Sequence, residues 1–384
     1  MTPRHAVVVA ARRTPVAAVG RGLAGLGPAE LAAPVLAALA ADVQQMFPGR
    51  RPGIDEIVLG NCRGPGGNVA RIAGLAAGLS RQVPGLTLDR QCGSGLEAVR
   101  FGAALIASGE ADLVFAGGVE SASTAPGGAQ HRARFTPAGD PDPGMGAAAE
   151  DAAAARGIDR ARQDAYAARS HARAVAASSS GVFDAELVPL AGLTGDDRPR
   201  PGLGVATLER FRPAFSPTGT VTAGNACGVN DGAAAVALIS DSLRAEAGIP
   251  GLRVITTAAV GGDPTLPALA AAPAIRLALR RAALTPDDIS VFEVTEAFAA
   301  QLLACTDELG LDPLGRDAER VCPDGGAIAL GHPWSASGTL LVVRLFSRLV
   351  RRGGRTAGQV GGYGVAACAI GGGQGLAVLF ERVG

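Results

Sequence analysis

No lysine occurs among the 384 residues; apart from four histidines, every basic side chain is arginine. That absence excludes a pyridoxal or substrate Schiff base, which needs a lysine amine. It also excludes a P-loop, whose lysine reaches the phosphates. Any phosphate must then be met by arginine or by backbone N–H groups. Cysteine occurs six times but never as a Cys-x-x-Cys pair, so the thiols read as free in a reducing, cytoplasmic setting. His5, His131, His171 and His332 show no metal-ligand spacing, and no metal is expected. No apolar run approaches the length that spans a bilayer. The opening residues lead into a short apolar strand near Ala6–Ala10, too short for a signal-peptide core. Basic and acidic residues balance at 35 each, so neither nucleic acid nor an anionic membrane is an expected partner. Aromatics make up only 4% while glycine occurs 55 times, which suggests helices packed closely on sheets.

What is present is concentrated in two turns. Gly325-Gly326-Ala327-Ile328-Ala329-Leu330-Gly331-His332-Pro333 holds a histidine between glycine and proline turns, as befits an imidazole whose position is fixed. Leu86-Thr87-Leu88-Asp89-Arg90-Gln91-Cys92-Gly93-Ser94-Gly95 reads as a strand that turns into a helix, with Leu96, Val99, Ala103 and Ile106 on one face. Cys92 falls at that turn, and Gly93 and Gly95 allow a sharp bend. A thiol at a helix N-terminus meets unpaired N–H groups and the positive end of the dipole, which favour thiolate. The same amides can donate to an oxyanion. Gly20-Arg21-Gly22-Leu23-Ala24-Gly25 matches a dinucleotide fingerprint in form, but it follows Arg12-Arg13-Thr14-Pro15 rather than a strand and reads as a surface loop.

Several further motifs occur in a fixed order: Arg13-Thr14-Pro15, Gly117-Gly118-Val119-Glu120-Ser121, Met145-Gly146 through Glu150, Thr220 through Gly228, and Gly371-Gly372-Gly373-Gln374-Gly375. With the Cys92 and His332 turns, this set resembles the thiolases, which make or break a carbon–carbon bond between coenzyme A thioesters. The resemblance runs nearly end to end. It implies an α/β fold, a five-layer αβαβα sandwich of two similar halves plus a loop domain. The halves are expected at 1–119, with 229–262 returning to it, and at 263–384, and the loop domain at 120–228. It also implies an acyl-cysteine on Cys92, a histidine partner in His332, a coenzyme A thioester as substrate with no cofactor bound permanently, and a homodimer or homotetramer. Met145, Phe215, Ala223, Cys227 and Phe298 are expected along the pantetheine arm, with Arg198 and Arg200 as candidate phosphate contacts.

Two departures bear on the chemistry. The family's Asn-Glu-Ala-Phe reads Thr295-Glu296-Ala297-Phe298, and losing one oxyanion donor costs roughly two orders of magnitude in rate. The family's base cysteine, two places before the glycine run, is Ala369, while Cys368 stands next door. Neighbours on a strand face opposite ways, so Cys368 serves only if the backbone presents it instead. Trp334, the only tryptophan, either shapes the acyl pocket or packs in the core, and Asp324 replaces a usual asparagine. Three functions follow. The first is an acyl-CoA C-acyltransferase with Cys92 as nucleophile, His332 beside it, the N–H groups of Cys92 and Gly371 on the oxyanion, and Cys368 or a water moving the proton. The second keeps the acyl-cysteine but passes the acyl group to a heteroatom, a carrier protein or a decarboxylation-derived carbanion. The third is a non-catalytic partner subunit.

Overall fold

Leu113–Ser121 and Asn230–Ser240 are buried at every position rather than at alternate ones, the pattern of strands covered on both faces. Such strands need a helical layer on each side. The computed structural model describes residues 4–50, 52–129, 131–353 and 362–384; the first three residues of the opening segment lie outside them.

In chain order the first part comprises β1 (Ala6–Arg13), the short β2 (Ala17–Ala18), α1 (Pro28–Met46), β3 (Glu56–Gly60) and α2 (Val69–Ala76). It continues with β4 (Gly85–Leu88), α3 (Ser94–Ser108) and β5 (Leu113–Ser121). An excursion then carries α4 (Met145–Arg156), α5 (Arg160–Ser179) and the single turn α6 (Val205–Leu208). After it come β6 (Asn230–Ser240), α7 (Asp241–Ala247), β7 (Gly251–Gly261), α8 (Ala271–Arg281) and β8 (Val291–Val294). The chain ends with α9 (Ala299–Glu308), α10 (Ala327–Leu330), α11 (Trp334–Phe346), β9 (Tyr363–Ile370) and β10 (Gln374–Val383). The helix expected from Asp159 is α5: the Asp159 carboxylate caps it, accepting from the Arg162 N–H at 2.8 Å.

The strand order β4-β3-β5-β6-β1-β7-β10-β9-β8 divides into two matching sets. In the first, β3 and β5 run parallel, with β6 and then β1 antiparallel beside them. In the second, β8 and β9 run parallel, with β10 and then β7 antiparallel. Helix α3 feeds β5 as α11 feeds β9, so the two halves repeat. They meet edge to edge through just two pairs, Val7–Arg253 and Val8–Leu252. One expectation needs correction here. β6 returns to the first half, but β7 pairs at ten positions with β10 and belongs to the second sheet.

The core separates the layers. On β6, Ala233, Ala235, Ala237 and Ile239 face one cluster with α1, while Ala234, Val236 and Leu238 face another. That second cluster also holds Leu96, Val99 and Ile106 of α3, Val342 and Leu345 of α11, and Ala366, Cys368, Leu376 and Val378 of the other sheet. Helices α8 and α9 cover the far side, against Val365, Ala367, Ala377 and Leu379. Helix, sheet, helix pair, sheet, helix is the thiolase-like sandwich that the motifs imply. Among the described residues no helix is long and apolar enough to cross a membrane.

Two features lock the central layer. The guanidinium of Arg13 on β1 donates to Glu186 at 2.8 Å and pairs with Asp196 at 2.6 Å. Arg344 of α11 donates to the same Glu186 at 2.5 Å and to Asp324 at 2.9 Å, all within the interior. The second feature is absent side chains. A Cβ on Gly118 of β5 would lie 2.0 Å from the Ser335 carbonyl oxygen, and one on Gly338 of α11 would lie 2.7 Å from Leu96 Cβ. Gly118→Ala is therefore expected to push α11 off β5 and destabilise the fold by about 3 kcal/mol or more. Denaturant unfolding monitored by circular dichroism measures it, and a loss under about 1 kcal/mol would show that α11 has room to move.

Candidate active site

The Cys92 turn is built by side-chain bonds around a strained residue. The residue with left-handed backbone is Gln91, φ 48°, not a glycine. Asp89 accepts its N–H at 2.7 Å, and Ser94 Oγ donates to its carbonyl at 2.6 Å while accepting the Arg90 N–H at 2.8 Å. The bend expected from Gly93 and Gly95 is thus made elsewhere. Those glycines serve close approach: a Cβ on Gly93 would meet Ile370 Cδ1 at 2.3 Å, and one on Gly95 would meet the Ser335 carbonyl at 2.5 Å. The N-terminal ends of α3 and α11 consequently sit side by side, with the end of β9 beneath them.

The His332 turn follows the same logic. Gly331, φ 108°, packs where any Cβ would strike the Asn230 amide at 2.4 Å. Asn230 Oδ1 accepts the His332 N–H at 3.0 Å and its Nδ2 donates to the Ala17 carbonyl at 3.0 Å. The ring is fixed by a 2.6 Å bond between Nδ1 and Ser337 Oγ in the first turn of α11. Beneath the turn, Glu296 accepts from Tyr166 at 2.6 Å, Ser170 at 2.7 Å and the Ile328 N–H at 3.2 Å. The glutamate after Thr295 is thus a structural carboxylate that ties α5 to the histidine loop.

Strand register settles which way the neighbours at 368 and 369 face. Cys368 pairs opposite Leu376 and shares its inner face with Ala366 and Ile370, whereas Ala369 packs toward the outer helices. Cys368 is fully buried, and its sulfur lies 3.2 Å from Thr295 Oγ1. Thr295 itself is placed by its N–H bond to the Ala367 carbonyl at 3.0 Å. Gly371 closes the strand against Phe135, whose ring lies 2.7 Å from where a Cβ would stand.

Electrostatically the site is starved of charge. Burial pushes the Cys92 thiol well up, and the Cys368 and Cys227 thiols and the Glu120 carboxylate push it further. Its own backbone N–H opposes them without prevailing, so the helix terminus does not deliver the standing thiolate expected of it. Burial lowers His332 to about 4. The Cys368 thiol is raised by burial to about 12, against the pull of its Thr295 bond. At neutral pH the three groups are two thiols and a neutral imidazole.

The residues expected along the coenzyme arm converge at the edge of the excursion. Phe215 and Phe298 stack edge to face with centroids 5.9 Å apart, and Phe215 stays 49% exposed. Met145 joins Phe298, Ala149, Val221 and Ala226 in one apolar cluster, Ala223 is exposed, and the Cys227 N–H donates to the Ala297 carbonyl at 2.9 Å. The Arg198 guanidinium lies against Gly228, its Nε buried without a partner. Burial lowers His171 to about 4, with Arg198 and Arg200 nearby adding to the effect. Trp334 is half-buried under the Arg63 guanidinium, 5.3 Å from its ring centroid.

Sequence reasoning missed three groups. Ser337 was hidden because its bond to His332 depends on the turn of α11. Glu120 accepts from Asn61 Nδ2 at 3.0 Å, Cys62 Sγ at 3.0 Å and Ser335 Oγ at 2.8 Å, holding the loop after β3 to α11. Glu293 lies buried two residues before Thr295, with Oε1 unpartnered, and burial raises it to about 8. Only the position of Glu293 on an otherwise apolar strand signals it in the sequence. Asp324 is explained: Arg344, Arg348 and Arg352 all reach it.

The comparisons agree with this architecture. The family described as "Thiolase, N-terminal domain" matches residues 6–242 and "Thiolase, C-terminal domain" residues 250–382. A Bacillus subtilis protein provisionally named acetyl-CoA C-acetyltransferase is 43% identical over 382 residues, 98% of this chain and 99% of that one. The peroxisomal 3-ketoacyl-CoA thiolase A of Rattus norvegicus is 40% identical over 400 residues, covering 98% of this chain and 89% of its own. The crystal structure of the Bacillus anthracis acetyl-CoA acetyltransferase superposes with a TM-score of 0.87 at 34% identity, covering 99% of both chains.

The His332 ring is expected to titrate near 4 instead of its ordinary 6.5. Between those values the unfolded chain takes up a proton that the folded chain refuses, so stability falls by roughly 3 kcal/mol as pH drops across that window. NMR titration of the ring carbons, with His332→Asn to assign the signal, measures it. A midpoint above about 6 would show a charged partner beside the ring.

Proposed function

We propose, for a chain that belongs to the thiolase family and is an acyl-CoA C-acyltransferase, that Cys92 carries the acyl group and Cys368 moves the α-carbon proton. His332 Nε2 takes the Cys92 proton as the sulfur attacks a thioester carbonyl, because neither group is charged beforehand. The new carbon–sulfur bond forms as coenzyme A leaves with a proton. The proton that coenzyme A takes comes from Cys368. A second acyl-CoA then loses an α-proton to the Cys368 thiolate so formed, and its carbanion displaces Cys92, which recovers its proton from His332, to give a 3-ketoacyl-CoA; thiolysis is the reverse. The N–H groups of Cys92 and Gly371 bind one oxyanion, and His332 with Thr295 the other. Coenzyme A passes through as substrate along Met145, Phe215, Ala223, Cys227 and Phe298, with Arg198 and Arg200 meeting its phosphates, and no permanently bound cofactor takes part.

The observation that carries this reading is the inward face of Cys368, bonded to Thr295 at 3.2 Å and packed in one cluster with Leu96 and Val99 of α3, the helix that Cys92 precedes. Cys92→Ala is expected to abolish acyl-enzyme formation. Cys368→Ala is expected to keep acylation of Cys92 by acetyl-CoA, seen by intact-protein mass spectrometry, while condensation and thiolysis fall by about two to four orders of magnitude. Condensation at the wild-type rate in Cys368→Ala would remove Cys368 from the proton step. Acyl transfer to an amine or carrier-protein acceptor would then be the reading to pursue, since the Ala369 methyl cannot take a proton.

The six free cysteines suit a reducing compartment, and we place the protein in the cytoplasm. We infer a homodimer through the open edge of β4, the last strand of the first sheet. There Leu86 and, on neighbouring helices, Ile72, Leu75 and Phe101 are exposed large apolar side chains. Leu86→Arg is expected to yield monomers by light scattering, and an unchanged mass would place the interface elsewhere.

A further inference from the structure

Behind the histidine turn lies a small cavity of about 30 Å³, lined among others by Glu293, Thr295, Ser337, Arg13 and Arg344. Leu330, Leu340 and Leu341 close its apolar side. A volume of that size holds one or two waters, provided that they find two to four polar partners. Two polar atoms on the lining residues lack any partner, Glu293 Oε1 and Arg344 Nε. Buried orphans of this kind cost about 1–3 kcal/mol each when left unsatisfied. Two other polar liners are bonded to the reacting groups: Ser337 to His332 Nδ1 at 2.6 Å, and Thr295 to Cys368 at 3.2 Å, while Arg13 is taken up by Glu186 and Asp196. The cavity therefore backs onto both arms of the site.

We propose that ordered water in this cavity joins Ser337 to Glu293, so that the Glu293 carboxylate is the terminal proton acceptor for the Cys92–His332 pair. The proposal rests on His332 being the base for Cys92. Each transfer balances. The Cys92 sulfur gives its proton to His332 Nε2, and His332 Nδ1 gives its own to Ser337 Oγ. The Ser337 hydroxyl proton passes to the water, and the water gives one to Glu293 Oε1. The net movement is one proton from thiol to carboxylate, and it reverses when the second half-reaction displaces the Cys92 sulfur. The imidazole changes tautomer without holding the positive charge that its burial penalises.

The groups facing Glu293 suit an acceptor that exists in both forms. Arg344 of α11 and Arg348 just beyond its end favour its carboxylate, Asp324 and Glu296 oppose it, and Arg13 lines the cavity from β1. Burial outweighs the rest and places it at about 8. Ionised Glu293 is the accepting form, so Cys92 acylation should quicken as pH rises through that value.

The test is single-turnover acylation of the full-length protein by acetyl-CoA, quenched and read by mass spectrometry from about pH 6 to about pH 10. The wild type is expected to show a rising limb centred near 8. Glu293→Gln, which keeps the shape but cannot accept a proton, is expected to lose that limb and to react about 10–100-fold more slowly on the alkaline side. Should Glu293→Gln fail to fold, Ser337→Ala breaks the chain one link from the ring and is expected to lose the same limb. A limb retained in the folded variant, or missing from the wild type, overturns the relay. His332→Asn separates the two readings. If it is inert while the limb persists in Glu293→Gln, only the relay falls; if it acylates like the wild type, His332 is not the base and both fall.

Discussion

The buried arginine–carboxylate network is the constraint on which the site depends. Arg13 comes from β1, Glu186 and Asp196 from the excursion, and Arg344 and Asp324 from the second half. One carboxylate, Glu186, is shared by both guanidiniums, and the Phe183 ring lies under each of them. Desolvating so many charges is costly, and removing any one partner would strand the others at about 3–5 kcal/mol. What the network secures is position. It fixes the C-terminal turn of α11 relative to β1, and hence the direction of the helix whose first turn carries Ser337 and its bond to His332. In a chain without lysine the joints fall to arginine, whose planar fork can hold two carboxylates at once.

That rigid frame surrounds a centre with almost no net charge. Under the mechanism proposed above, a neutral Cys92 thiol and a neutral His332 imidazole receive a neutral thioester without electrostatic cost, and charge arises only as the carbonyl is attacked. Fixed N–H groups at the start of α3 and after β9 are then worth more than they are in the resting state, which is the condition for lowering a barrier rather than merely tightening binding. The same low-dielectric surroundings that push the Cys92 thiol up would strengthen every dipole aimed at the developing oxyanion. Thr295 in place of an amide weakens one such dipole. Its bond to Cys368 keeps it in the site as a contact to the second thiol.

Much of this was legible before any coordinates. Cys92 and His332 stand out because glycine and proline mark turns at any level of description. The α5 cap at Asp159 and the loop at Gly20–Gly25 follow from local chemistry alone. What stayed hidden depends on contacts between distant segments. Gly93 and Gly95 look like bend residues, yet their role is set by Ile370 and Ser335, more than 200 positions away in sequence. The facing of Cys368 needs the register of β9 against β10, which no local pattern supplies. β7 falls in 229–262, expected with the first half, and only its ten pairs with β10 against two with β1 put it in the second.

The glycine contacts carry a wider consequence for how such a site is built. Two reactive groups from separate halves can share one crevice only if the helices that bear them approach more closely than ordinary side chains permit. Gly95 against the Ser335 carbonyl and Gly338 against Leu96 provide that approach from opposite sides, and Gly118 lets β5 run under both. The glycines within these motifs are thus part of the active-site geometry as much as the thiols are. A methyl group at any of them would move the imidazole before it touched the chemistry. Ser335, whose carbonyl meets two of these glycines, also anchors the turn by donating its hydroxyl to Glu120, so one residue carries both the packing and the polar contact that align the two helix ends.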